Sequence, residues 1–296
     1  MRPRSEIANG LTPRRPSRRI SSRPDIRMHV LPSLITALLY LAAAALSLHR
    51  TRRRIRGEPA PRKSVLMSAW GGAWALHTLI LYRHTFRPDG LNLEFFNAMS
   101  LILWLVAGLL GASTLRRPLE PLAVALLPVS ALAVLVAGLV PEPSTVVAVD
   151  SVGIRVHILV SLLAYSVLTF SALQALLLAI QDQHLHRHRP GGFVRTLPPL
   201  QEMEQFLFQL ITAGVILLTL SLVTGFLYVE DLFAQHLVHK TVLSITAWLV
   251  FSILLWGRWR FGWRGRKAIR WTLWGFAALL LAYLGTKFVI EFLLPG

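Results

Sequence analysis

A chain of 296 residues that is 54% hydrophobic and only 15% charged, with a mean hydropathy of +0.55, is too apolar along its whole length for a water-soluble domain. It has no cysteine, which excludes disulfides, iron–sulfur clusters, thiolate metal sites and thiol-transfer chemistry. The formal net charge of +17 suits Arg and Lys crowding the cytoplasmic loops of a membrane protein better than a nucleic-acid surface.

In chain order, residues 1–27 come first. They carry eight Arg among Pro and Ser with little apolar content, so they cannot build a core. We read this segment as a disordered basic arm or a mis-assigned start, with the natural start expected at Met28. Eight apolar runs follow, at about 30–49, 64–82, 95–114, 119–140, 153–180, 206–229, 239–257 and 269–290, each near the ~20 residues that cross a bilayer core. The expected fold is all-α: a polytopic transmembrane helical bundle of about eight spans, four in 28–140 and four in 153–296. Pro121 and Pro128 predict a kink in the fourth span. The fifth is long enough to project into the loop after it.

The loops fix the orientation. Those between spans 1–2, 3–4, 5–6 and 7–8 hold eighteen Lys and Arg, against five on the other side, namely Arg83, Arg87, Arg155, Lys240 and Lys287. The positive-inside rule then puts the four basic loops in the cytoplasm and both termini outside if the chain starts at Met28. The 257–271 run, GRWRFGWRGRKAIRW, mixes Trp with Arg and reads as a headgroup anchor.

With this orientation His157 stands about one turn inside the outer end of span 5, and His239 begins span 7 at the same depth. Polar side chains at membrane depth are costly and tend to have a function. Two imidazoles from facing helices are one way to hold haem iron axially, and Arg155, Lys240 and Lys287 nearby would meet carboxylates such as propionates. Ser161 and Tyr165, at i+4 and i+8 from His157, continue a polar stripe down the same face. Each histidine also has a plainer reading as an interfacial residue or a helix–helix hydrogen bonder. His77 is a weaker candidate: it shares a face with Trp70, Trp74 and Leu81, a pattern that reads first as packing and second as a wall beside a porphyrin. His184, His186 and His188 sit in a basic inner loop and read as solvated. His236 lies near Glu230 and Asp231 without enough further ligands for zinc. There is no phosphate-binding loop, paired-carboxylate pattern or nucleophile motif. The span centres hold almost no carboxylates; Asp150 and Glu291 lie just outside spans, which argues against a proton-coupled carrier.

Three stretches carry a resemblance. They are LPPLQEMEQFLFQLITAGVILLTLSLVTG (197–225), RVHILVSLLAYSVLTFSALQALLLAIQ (155–181) and HKTVLSITAWLVFSILLWGRWRFGWRGRKA (239–268) followed by LAYLGTKFV (281–289). From about 153 onward the chain resembles the cytochrome c assembly family, the group of CcsA, CcmC and their relatives, and most closely its YpjD-type inner-membrane branch, with HemX-type proteins as cousins. Over spans 1–4 the resemblance is thinner.

The resemblance implies a multi-pass protein of the bacterial inner membrane that is not an enzyme by itself and that binds haem b at the outer leaflet. His157 and His239 match by position the histidines that flank the family's tryptophan-rich segment. It implies partners in haem delivery, cytochrome c maturation or haem synthesis, besides membrane lipid, and no nucleic acid. Two departures bear on this. The place of the tryptophan-rich signature reads GFLYVEDLFAQHLVHKTV (225–242), without Trp, and the further histidine of longer members is replaced by LLWGRW. The alternative is a cofactor-free scaffold or a regulatory subunit in the manner of HemX-type relatives. A small-molecule transporter is a third reading, disfavoured by the lack of buried acids and of an obvious repeat between the halves.

Overall fold

The computed structural model describes residues 26–87, 90–140, 146–147, 151–186, 192–228 and 235–285. Residues 1–25 of the basic arm, Asp150, His188, Glu230, Asp231, Lys287 and Glu291 lie outside the described residues, while residues 26–27 already belong to the first helix.

Apolar runs of this length have no water with which to satisfy their backbone in a bilayer, so they close their hydrogen bonds internally as helices. Among the described residues eight form: α1 (Ile26–Ile55), α2 (Lys63–Thr85), α3 (Phe95–Arg116), α4 (Glu120–Leu139), α5 (Val152–His186), α6 (Leu200–Tyr228), α7 (Gln235–Phe261) and α8 (Gly265–Leu280). A π-helical segment, Leu281–Gly285, continues α8. Among the described residues, α1 to α7 are long and apolar enough to cross a membrane. The eighth expected span runs beyond the described residues. α5 does project past its apolar part, reaching His186. Pro121 falls in the first turn of α4, where its missing N–H has no helical acceptor in any case, while Pro128 lies inside the helix.

Each half closes a ring. α1 touches α2 and α4, and α3 touches both of those; α5 touches α6 and α8, and α7 touches both of those. The same cyclic order therefore occurs twice, although the sequence shows no repeat. The halves meet mainly where α3 and α4 reach α5, and where the short 3-10 helix Gly192–Thr196 touches α1. Three short strands were not expected from the sequence. β1 (Phe86–Arg87), β2 (Gly90–Asn92) and β3 (Val146–Val147) form an antiparallel strip in that order, pairing Phe86 with Leu91 and Leu91 with Val147. The strip ties the α2–α3 connection to the α4–α5 connection.

At the opposite end of the bundle, the end bearing the basic loops, three carboxylates among the described residues each hold two basic side chains. Glu120, 2% exposed, lies 3.6 Å from Arg50 and 3.5 Å from Arg54, joining α1 to α4. Glu204 on α6 lies 2.8 Å from Arg258 and 3.3 Å from Arg264, and one of its oxygens accepts from the Gly265 N–H. Asp182 on α5 is 3.1 Å from Arg266 and 3.2 Å from His186. Three arginines of the 257–271 run therefore also pair with carboxylates of α5 and α6, while Trp259 on the same run is exposed as a headgroup anchor would be. A buried carboxylate between arginines offsets its desolvation only while its partners stay. Glu120→Ala would leave Arg50, itself 4% exposed, as an uncompensated buried charge. We expect it to lower the unfolding free energy by about 3–5 kcal/mol, read by thermal or denaturant unfolding in detergent.

Candidate functional site

At the other end, between α3, α5, α6, α7 and α8, lies a cavity of about 730 Å³ with a mainly apolar wall. Its polar lining comes from His157, Ser161, Tyr165, Ser221, Lys240 and Tyr283, among others.

Small residues on α6 bring that helix close enough to α5 to shape this wall. A Cβ on Gly214 would come within 2.4 Å of the Leu168 side chain, and one on Gly225 within 2.9 Å of the His157 imidazole. Reciprocally, a Cβ on Gly153 of α5 would lie 2.3 Å from the Tyr228 ring of α6. At this approach His157 Nδ1 lies 3.0 Å from the Ser221 carbonyl oxygen and 3.2 Å from Thr224 Oγ1. A carbonyl oxygen only accepts, so Nδ1 carries the proton and donates, and Nε2 keeps its lone pair. Ser161 Oγ donates to the His157 carbonyl oxygen at 2.6 Å, and Ser221 Oγ therefore donates to Ser161 Oγ at 2.7 Å. The imidazole is thus fixed in tautomer and orientation, in the manner that prepares a histidine for a metal. Tyr165 and Tyr283, with ring centroids 5.6 Å apart, line the wall from α5 and from the end of α8.

The structure brings His157 and Lys240 to one wall and does not bring His239 there. Lys240, Thr241 and Ser244 face the cavity. Successive helical residues turn by about 100°, so His239, one step before Lys240, is carried to the exposed face. Arg155 is exposed and off the wall. Lys287 lies outside the described residues.

His77 is away from the cavity and has other work. It is fully buried, with Nδ1 3.1 Å from Tyr40 Oη and Nε2 2.9 Å from Ser100 Oγ, so one imidazole pins α1, α2 and α3 together. Its neighbours on the same face pack as the plainer reading has it. Trp74 stacks on Trp104 at 5.1 Å and donates to the Trp104 carbonyl, and Trp70 is buried against α3 at Gly111. Of the inner-loop histidines, His184 bonds its own helix at Ile180 and His186 serves Asp182. Among the described residues no three His, Asp or Glu side chains gather as metal ligands.

The sequence reading missed Ser221, Thr224 and Gly225. Their signal was present as small residues recurring on one face of α6 with Gly214, the pattern by which membrane helices approach closely.

Comparison with known proteins decides the kinship. The profile of the family described as Cytochrome C assembly protein matches residues 62–294. The chain belongs to the cytochrome c assembly family. It is 42% identical over 137 residues to the "Inner membrane protein YpjD" of Escherichia coli K12, an alignment covering 46% of this chain and 52% of that protein, so the chain spans about half the length of that relative. It is 34% identical over 270 residues to an uncharacterized 28.8 kDa protein of Azospirillum brasilense, covering 88% of this chain and 97% of the relative. It is 25% identical over 146 residues to "Cytochrome c biogenesis protein CcsA" of Chlamydomonas reinhardtii, covering 49% and 40% of the two chains. No solved structure matches.

In this family member His77→Phe would leave two buried hydroxyls, on Tyr40 and Ser100, without their shared partner. We expect a loss of about 1–3 kcal/mol in stability, measured by thermal unfolding, with the His157 wall unchanged.

Proposed function

We propose that this member of the cytochrome c assembly family binds and hands on haem at the outer end of its bundle, in cytochrome c maturation or haem homeostasis, and is not itself an enzyme. The observation that carries the reading is His157. Its Nδ1–H is held by the Ser221 carbonyl, which directs the Nε2 lone pair away from that bond, and the imidazole stands on the wall of a mainly apolar cavity. The cavity's 730 Å³ lies within the ~300–1,000 Å³ usual for cofactor sites. The residues present fit a porphyrin: an apolar wall for its faces, one imidazole for its iron and the Lys240 ammonium for a carboxylate. Bound haem would supply an iron that takes an imidazole ligand and carries one electron. In this reading His157 would hold the iron through Nε2. His239 joins it only if the first turn of α7 rewinds to bring that ring inward. Arg155 and Lys287 are then outlying cationic groups for propionates. Haem b is the form proposed. The placement in the bacterial inner membrane draws on the printed name of the Escherichia coli relative, together with seven membrane-crossing helices.

A second reading has its own support. The chain is 24% identical over 131 residues to "Protein HemX" of Brevibacillus brevis, and His239 stands off the cavity wall. On that reading the protein is a cofactor-free regulatory subunit or scaffold that engages haem-synthesis proteins.

The absorption spectrum of protein purified after expression with haem supplied separates the two. We expect a Soret band that disappears in His157→Ala and persists in His239→Ala. Loss in both variants would restore the paired ligation suggested by the sequence, and a colourless wild-type protein would favour the scaffold. Gly225→Ala, which crowds the imidazole from behind, is expected to weaken haem retention about tenfold, equivalent to ~1.4 kcal/mol, in a titration followed at the Soret band.

A further inference from the structure

The cavity's lining does not stop at the interior face of α6. Leu218, Ser221 and Gly225 lie on that face, yet Val223, Phe226 and Leu227 also line the cavity and are 50%, 74% and 64% exposed. Across from them on α7, Ile245 lines the cavity and is 39% exposed. A residue that both lines a cavity and stands open to the surroundings marks where that cavity reaches the outside. On a membrane-crossing stretch with Val, Phe, Leu and Ile at the rim, the surroundings are lipid.

The opening has a defined lower edge. Trp248 Nε1 donates to Thr219 Oγ1 at 2.8 Å and holds α7 against α6. Val223 stands one turn above Thr219 on α6, and Ser244 and Ile245 stand about one turn above Trp248 on α7. Successive α6 residues turn by about 100°, which puts Thr219, Phe226 and Val223 on neighbouring parts of the α7-facing side. The gap therefore lies between α6 and α7, above the indole bond, in the leaflet that the charge distribution makes the outer one.

We propose that the cavity exchanges its ligand sideways with the outer leaflet through this gap, and that the ligand is accordingly a membrane-partitioned amphiphile: an apolar body that passes the Val223–Phe226–Ile245 rim and an anionic end that settles toward Lys240. This rests on the haem reading for the identity of the ligand; the gap itself does not. A porphyrin carboxylate already dissolved in the bilayer then reaches His157 without crossing water.

The chain's lack of cysteine makes any introduced thiol a unique label site. The test uses the full-length protein in vesicles of phosphatidylethanolamine and phosphatidylglycerol preloaded with haemin. Val223→Cys carries a bulky maleimide at the rim. Leu159→Cys, on an exposed position of α5 off the cavity wall, carries the same label as a control. We expect the Val223 adduct to slow growth of the Soret band about tenfold, a retardation that a modest added barrier gives, and the Leu159 adduct to leave it unchanged. Equal rates in both adducts would overturn the lateral route. A second measurement needs no haem: bimane on Ser244→Cys inside the cavity should be quenched by brominated lipid. Quenching without a Soret band in unlabelled protein would keep the gap and reject haem as its ligand. Absence of quenching would reject the gap whatever the spectrum shows.

Discussion

The close approach of α5 to α6 is the contact on which the cavity depends. Two membrane helices gain little from hydrophobic burial when the solvent is itself hydrocarbon, so their seam relies on tight packing and on hydrogen bonds across it. Here Gly214 admits Leu168, Gly225 admits the His157 ring and Gly153 admits Tyr228, one ring passing each way at the outer end. Below them Gln174 on α5 donates to the Met203 carbonyl of α6. Only at this separation does the Ser221 carbonyl reach His157 Nδ1. A bulkier residue at Gly225 would disturb the imidazole before it disturbed the fold.

The two ends of the bundle use polar groups in opposite ways. At the end bearing the basic loops, little-exposed carboxylates are paired with arginines, Arg50 buried and Arg264 and Arg266 reaching in from the surface. At the cavity end the polar groups are mostly neutral and hydrogen-bonded into a wall, with Lys240 the ammonium among the lining residues. A wall of that kind suits a large, mainly apolar guest with a few fixed points of recognition. The proposed haem reading rests on family membership and on this wall, and the exposed position of His239 is the observation behind the HemX-type alternative.

Much of the architecture was legible because a bilayer allows few solutions. Eight apolar runs gave eight helices, and the surplus length of the fifth run was visible as residues up to Gln181 and beyond. His157 and His239 were legible as membrane-edge polar residues at one depth, with Lys240 as a cationic neighbour, and of these His157 and Lys240 line the cavity. The rotational phase of α7 was not. That helix is apolar nearly all round, so no stripe in its sequence says which side faces the bundle, and the ring of His239 falls on the outer side as a consequence. The carboxylates Glu120, Asp182 and Glu204 escaped because acids were sought at span centres, whereas these stand at span ends opposite basic loops. The strands β1 to β3 are too short to show an alternating pattern. The doubled ring order is a property of chain path, which needs no repeated sequence.

The ion-pair clusters at the end bearing the basic loops give the same arginines two tasks at different times. While the chain is being threaded into the bilayer, Arg50, Arg54, Arg258, Arg264 and Arg266 retain spans on the side where they are made, an effect to which acidic residues contribute little. Once the helices assemble, those guanidinium groups are joined to Glu120, Glu204 and Asp182, Arg50 going inside the bundle while Arg264 and Arg266 stay largely exposed. The signal that orients the nascent polypeptide is thereby converted into the fastening of the mature one. A helix inserted the wrong way round would arrive without its counter-ions, so the assembled bundle checks the topology that biosynthesis set.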